Sequence, residues 1–168
     1  MTATQTGSDA ERRIWEAIGA VTDPEIPVLS VVDLGIIDGV SIADDGGVVV
    51  RMLPTFVGCP ALSVMREQIA AAVHRLGHGD VRVDVVFDPP WSSDRITEDG
   101  RRRLREFGLA PPAGACGGVI ESNFHAVPCP WCGSRETDLE SIFGPTLCRS
   151  MHYCRACRQS FEHFKPVG

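Results

Sequence analysis

The chain has 168 residues, of which 43% are hydrophobic and 23% are charged, and its formal net charge is −6. This balance is typical of a soluble globular protein with one medium domain or two small ones. It excludes a membrane-spanning protein, because no apolar run approaches the roughly 20 residues that a bilayer span needs. The opening MTATQTGSDAERR lacks the pattern of a secretory signal, so we expect a cytoplasmic protein.

The acidic charge is concentrated in the first part of the chain. Residues 1–115 hold 17 acidic and 11 basic residues, whereas residues 116–168 hold five of each. Neither part has the basic surplus of a nucleic-acid-binding protein. The pattern therefore indicates proteins or a metal cofactor as partners, with no nucleic acid and no membrane.

The first part of the chain predicts a small α+β domain. Ser8 and Glu11 have the spacing of a capping box, which marks the start of the first helix. Strand alternation and helical spacing then give six elements in the order αββαβα: helix 8–21, strands 35–43 and 48–53, helix 60–76, strand 81–87 and helix 97–108. We expect the three strands to form one sheet. In the third strand, alternation puts the side chain of Phe87 on the apolar face.

A change of pattern follows the last helix. The stretch LAPPAGACGG is rich in proline and glycine and has no periodicity, so it predicts a linker. Turns, cysteines and short β-like segments come after it. We therefore predict two domains, 1–114 and 115–168.

The second domain carries two CxxC pairs. Cys129 and Cys132 form one, Cys154 and Cys157 the other, and 21 residues separate them. Two such turns can direct four thiolates to one ion, which predicts a zinc-ribbon-like site of four cysteines that stabilises a region with little core. Iron or a cluster at the same cysteines and a redox-active CxxC pair are the alternatives.

Two further cysteines near this region have weaker signals. Cys148 lies six positions before Cys154, so it is either an extra ligand or a buried apolar thiol. Cys116 lies in the predicted linker, where we expect no role for it.

Cys59 stands apart from the others, between a glycine and the proline that opens a predicted helix. The positive end of a helix dipole favours a thiolate, so both a reactive cysteine and a small apolar turn residue remain open. A hydrolase would need a histidine beside it. His74 lies about four turns along the same helix and cannot reach back. Asp23 and Glu25, which flank Pro24, are either turn caps or metal-positioning groups.

Three stretches together resemble a known family. They are DPEIPVLSVVDLGII, PTFVGCPAL and VVFDPPWSSDRITEDGRRRLREFGLAPP, and they look like the SufT-like family of iron–sulfur assembly domains. The tail VPCPWCGSRETDLESIFGPTLCRSMHYCRACRQSFEHFK makes the resemblance closest to the PaaD branch. Members of that branch are accessory subunits of the ring 1,2-phenylacetyl-CoA epoxidase system of phenylacetate catabolism.

The resemblance implies a non-catalytic maturation factor that assists iron–sulfur or iron cofactor insertion. Cys59 matches the family's reactive cysteine, which would hold iron or a cluster transiently, and Asp23 and Glu25 match its acidic turn. The four paired cysteines match the branch's metal ligands, and Cys148 matches a further cysteine common there. The expected partners are the reductase and oxygenase subunits of the epoxidase. A structural subunit that docks through its zinc ribbon is the alternative, and a homodimer is a further assembly to test.

Overall fold

The computed structural model describes residues 9–56, 58–112 and 126–167. Within this part, the chain forms two compact units. One is made of residues 1–54 and 60–89, and the other of residues 55–59 and 90–168, as far as each is described. Ser8, Cys116 and the predicted boundary at residue 114 lie outside the described residues.

The first unit has the first five predicted elements in the predicted order. They are helix α1 (Asp9–Gly19), strands β1 (Ile37–Ile42) and β2 (Val48–Met52), helix α2 (Ala61–His74) and strand β3 (Val81–Val85). In the described residues these strands form a three-stranded sheet in the order β1-β2-β3, with β1 antiparallel and β3 parallel to β2. This confirms the α+β class and the predicted sheet.

The core of the first unit lies on one face of this sheet. Val48, Val50 and Met52 alternate inward from β2 and are at most 1% exposed. The helices cover them with fully buried side chains such as Ile14 and Ile69, because both helices carry an apolar stripe. The prediction for Phe87 is wrong: β3 ends at Val85, and Phe87 is 64% exposed.

The second unit contains the last predicted helix and the cysteine-rich region. Helix α3 (Glu98–Phe107) is followed by strands β4 (Leu109–Ala110), β5 (Thr137–Ser141), β6 (Arg149–Cys154) and β7 (Gln159–Phe164). The described strands form a sheet in the order β4-β7-β6-β5, with β4 parallel to β7. The predicted linker is therefore wrong at its first two residues, which are a strand of the ribbon sheet.

The segment before the linker is fastened to the C-terminal end of the chain. The backbone N–H of Ser93 donates to the carbonyl of Val167 at 2.8 Å, and the Val167 N–H donates to the Ser93 hydroxyl at 3.2 Å. Trp91 contacts Phe164, with 6.2 Å between ring centroids. Residues 90–112 and the cysteine-rich region therefore share one structure.

None of the helices that the structure describes is long and apolar enough to cross a membrane.

Candidate functional site

The four paired cysteines converge on one point in the second unit. Their sulfur atoms all lie within 4.8 Å of one another. Within the described residues, no other group of three or more Cys, His, Asp or Glu side chains is placed to hold a metal ion. The Sγ atoms of Cys129 and Cys157 are 3.7 Å apart, and those of Cys132 and Cys154 are 3.6 Å apart. Each of these close contacts joins one CxxC pair to the other.

This geometry fits a tetrahedral metal ion. A Zn–S bond of about 2.3 Å requires about 3.8 Å between sulfurs on a tetrahedron, close to the two measured distances. Four thiolates are a typical donor set for structural zinc, and iron accepts the same set. Because Cys129 and Cys154 are at most 2% exposed while Cys132 is exposed, the ion would lie at the edge of the ribbon core.

The thiols of the two CxxC turns have pKa values that are shifted in different directions. The backbone N–H of Cys157 donates to the sulfur of Cys154 and is the main reason that the pKa of this thiol is lowered to about 7. Burial raises the pKa of Cys157 to about 12 and also raises that of Cys129. Since a metal binds thiolates, metal binding must release protons from these residues and strengthen as the pH rises.

Trp131, between the first two cysteines, lies against the end of helix α3. Gly108 ends this helix with a φ of 88°, and a Cβ there would lie 2.2 Å from Cη2 of Trp131. The sequence predicts Gly108 as the end of the helix but not this contact, because the two residues are far apart in the chain. The contact joins the first CxxC turn to the segment before the linker.

Cys148 is not part of the four-cysteine group within the described residues. It precedes β6, is half-buried, and its sulfur lies 3.1 Å from the hydroxyl of Thr146. A ligand role for Cys148 stays a prediction.

Cys59 lies in a tight turn immediately before helix α2. Gly58 has a φ of 85°, which other residues adopt only with strain, and the Cys59 N–H donates to the Phe56 carbonyl at 3.2 Å. Pro60 is the N-cap and α2 starts at Ala61, so Cys59 occupies the position before the cap. Its side chain is half-buried.

The acidic turn of the first unit is held by one of its own carboxylates. Asp23 is 7% exposed. Its Oδ1 accepts hydrogen bonds from the backbone N–H groups of Glu25 at 2.7 Å and Ile26 at 3.1 Å. This is turn capping, one of the two roles that the sequence left open for Asp23. Contact of Asp23 and Glu25 with iron or a cluster stays a prediction, as it does for Cys59.

A pair of buried histidines lies in the ribbon and was not predicted. His152 and His163 are at most 1% exposed, with ring centroids 5.2 Å apart. Ser150 Oγ lies 3.1 Å from Nε2 of His152. Burial, reinforced by His152, lowers the pKa of His163 to about 3. The signal in the sequence was strand alternation, since His152 shares its inward face with Cys154 of the four-cysteine group.

Two family models match separate parts of the chain. Residues 11–85 match an iron–sulfur cluster assembly protein model, and residues 119–165 match the PaaD zinc β-ribbon domain. The protein is also 40% identical over 155 residues to an Escherichia coli (strain K12) protein provisionally named as a subunit of 1,2-phenylacetyl-CoA epoxidase. That alignment covers 92% of each chain. This chain belongs to the PaaD family.

The first part of this PaaD-family chain has relatives of its own. An Fe-S protein maturation auxiliary factor of Porphyromonas gingivalis is 37% identical over 95 residues, which are 56% of this chain and 90% of that protein. The crystal structure of a DUF59 domain from Bacillus anthracis matches with a TM-score of 0.53 at 26% identity, covering 56% of this chain and 91% of the other. The PaaD-family chain therefore combines a maturation-factor-like part with a zinc ribbon.

Proposed function

We propose that this protein is a cytoplasmic accessory factor of a phenylacetyl-CoA epoxidase system and assists insertion of an iron–sulfur or iron cofactor. The observation that carries the proposal is the combination of relatives: a protein named as an epoxidase subunit is similar along 92% of the chain, while Fe-S maturation factors are similar to its first part. The protein itself would not epoxidise the ring. Its partners would be the reductase and oxygenase subunits.

In this proposal the two kinds of cysteine have different duties. The four ribbon cysteines hold zinc as a structural ion, supported by sulfur separations of 3.6 and 3.7 Å. Cys59 holds iron or a cluster transiently as cargo, assisted by Asp23 and Glu25. A half-buried thiol at the N-terminal end of a helix suits this task, because the helix dipole favours the thiolate and a ligand can still approach.

The test is co-expression of the epoxidase reductase and oxygenase with wild-type protein, a Cys59→Ser variant or a Cys148→Ser variant. Cys148 is the matched control, since it is also half-buried and lies outside the four-cysteine group. We expect Cys59→Ser to lower iron and acid-labile sulfide in the client severalfold, together with phenylacetyl-CoA turnover. Full cofactor occupancy with Cys59→Ser would refute the role of Cys59.

A structural subunit that docks through the ribbon is the second candidate. It is favoured by an apolar surface between β5 and β6, where Ile142, Phe143 and Leu147 are 48%, 73% and 57% exposed. Exposed apolar side chains clustered in a short loop are typical of an interaction site. A stoichiometric complex that survives Cys59→Ser with unchanged activity, and is lost with Phe143→Ser, would support this candidate instead.

A further inference from the structure

Strand β3 is an edge of the first unit's sheet. Within the described residues the sheet ends at β3, which pairs with β2 on its other side. The Val48 N–H donates to the Asp80 carbonyl and the Val86 N–H to the Met52 carbonyl, so even-numbered residues of this segment face β2. In a strand, alternate residues direct their N–H and C=O groups to opposite sides. Those of Val81, Val83 and Val85 therefore point away from the sheet.

Among the described residues of the first unit, no strand pairs with the outer side of β3. This side borders a groove of about 530 Å³, which is completed by α2 side chains that include Arg66 and Glu67. The Arg66 guanidinium donates to the Val83 carbonyl at 3.2 Å. The opposite edge, β1, is interrupted by an irregularity between Ile37 and Gly39, whereas β3 keeps a regular register with β2 over its whole length. Since bulges disrupt strand pairing, β3 is the better edge for another strand.

The sequence of β3 is complementary to itself. It reads V-R-V-D-V, with Val83 at its centre and Arg82 and Asp84 on either side. If a second β3 lies antiparallel with Val83 opposite Val83, each Arg82 is opposite an Asp84 of the other copy. A shift of the pairing partner by two residues in either direction brings Arg82 opposite Arg82 or Asp84 opposite Asp84. Opposite charges stabilise a cross-strand pair and like charges destabilise it, so the charges select the centred register.

The hydrogen-bonding groups select the same register. With Val83 opposite Val83, Val81 lies opposite Val85. The backbone N–H and C=O groups of these three valines all point outward, so they meet the same groups of the other copy. Such pairs exchange both hydrogen bonds in an antiparallel sheet. The Val83 carbonyl can accept from the second copy and from Arg66, because a carbonyl oxygen has two lone pairs.

We propose that the protein forms a homodimer in which β3 pairs antiparallel with β3 of a second copy, centred on Val83. The pairing continues the sheet through a two-fold axis, which brings the helix α2 of each copy to the same side. Within one strand, the side chains of Arg82 and Asp84 are 69% and 39% exposed and lie 3.1 Å apart. In the dimer they form an ion-pair network that includes both copies. The partner is thus the chain itself, and the inference does not depend on the proposed maturation role.

The test uses the full-length, metal-loaded protein in a concentration series by sedimentation velocity and light scattering. Two single variants, Arg82→Asp and Asp84→Arg, give strands with like charges, so each should raise the dimer dissociation constant by about tenfold or more. The double variant Arg82→Asp/Asp84→Arg is the matched control and should dimerise like the wild type. An equimolar mixture of the two single variants should form heterodimers, because every opposed pair is then complementary.

A second measurement needs no variant. Backbone N–H groups of Val81, Val83 and Val85 should exchange with deuterium more slowly as the protein concentration rises, while exchange in α1 should not change. A wild-type protein that is monomeric throughout, a dimer indifferent to both single variants, or valine exchange independent of concentration would overturn the proposal. Charge reversals that weaken binding to epoxidase subunits while the wild type stays monomeric would also overturn it, in favour of a client strand on the same edge.

Discussion

The contact between Gly108 and Trp131 can be tested by adding one methyl group. Gly108→Ala places a Cβ 2.2 Å from Cη2 and 2.5 Å from Cζ2 of the indole, at a backbone φ of 88°. The left-handed backbone costs about 1–2 kcal/mol for a residue with a Cβ. The indole must also leave its position. Trp131 is 55% exposed, so its buried remainder is roughly 90 Å², and losing this burial costs about 2 kcal/mol.

We therefore expect Gly108→Ala to lower the free energy of unfolding of the second unit by about 3–4 kcal/mol. Gly133→Ala is the control for the backbone alone, since Gly133 has a φ of 76° and open space where its Cβ would be. It should cost about 1–2 kcal/mol. The assay is urea unfolding of the zinc-loaded protein, followed by tryptophan fluorescence and by release of zinc to a colorimetric chelator.

A double-mutant cycle isolates the steric effect. Once Trp131→Ala has removed the ring, adding Gly108→Ala should cost only the backbone part, so the two substitutions should be non-additive. The reasoning is refuted if Gly108→Ala and Gly133→Ala are equally destabilising, or if Gly108→Ala and Trp131→Ala add. Either result would mean that the indole does not rest on the end of α3 in solution.

Three further outcomes are expected. Removal of the metal with a chelator should unfold the ribbon and α3 together, because β4 pairs with β7; hydrogen exchange would show lost protection in residues 98–112 and retained protection in β1–β3. The pKa of His163 is about 3 in the folded protein and about 6.5 in the unfolded chain. Below pH 6.5 the unfolded chain therefore binds more protons at this residue than the folded protein does. Stability should therefore fall by about 1.4 kcal/mol per pH unit from there towards pH 3, and a His163→Gln variant with its zinc retained should show a shallower slope in urea titrations. Asp23→Ala removes an acceptor of two backbone hydrogen bonds and should cost about 1–3 kcal/mol in urea unfolding, whereas Asp23→Asn keeps an acceptor and should cost less.

The four-cysteine group could be predicted from the sequence because the spacing that defines it is local. Each CxxC turn orients its own pair of sulfurs, so the spacing of Cys129 and Cys132 already contains half of the site. The same is true of helix α3, where Thr97 caps the first turn through a hydrogen bond from Gly100 at 3.0 Å and Gly108 ends the last. Local rules of this kind do not need the tertiary structure.

The features that the sequence did not reveal depend on distant contacts. The two residues of β4 are too few to show an alternation, and their partner in β7 lies more than fifty positions away. The stretch from Leu109 therefore had the composition of a linker while its start was part of a sheet. In the same way, nothing near Trp131 indicates that its ring lies on Gly108, because only folding brings the two together.

The second unit contains more of the chain than the cysteine-rich region alone. The Porphyromonas gingivalis relative matches over 95 residues that are 90% of its own length, so it has no room for a ribbon. That protein is named an Fe-S protein maturation auxiliary factor. Residues 55–59, helix α3 and strand β4 belong to the same unit as the four cysteines. This unit therefore includes more of the chain than the CxxC region, and Cys59 is in it. It also carries the exposed apolar side chains of Ile142, Phe143 and Leu147, so the proposed docking surface and the proposed cargo thiol lie in one unit.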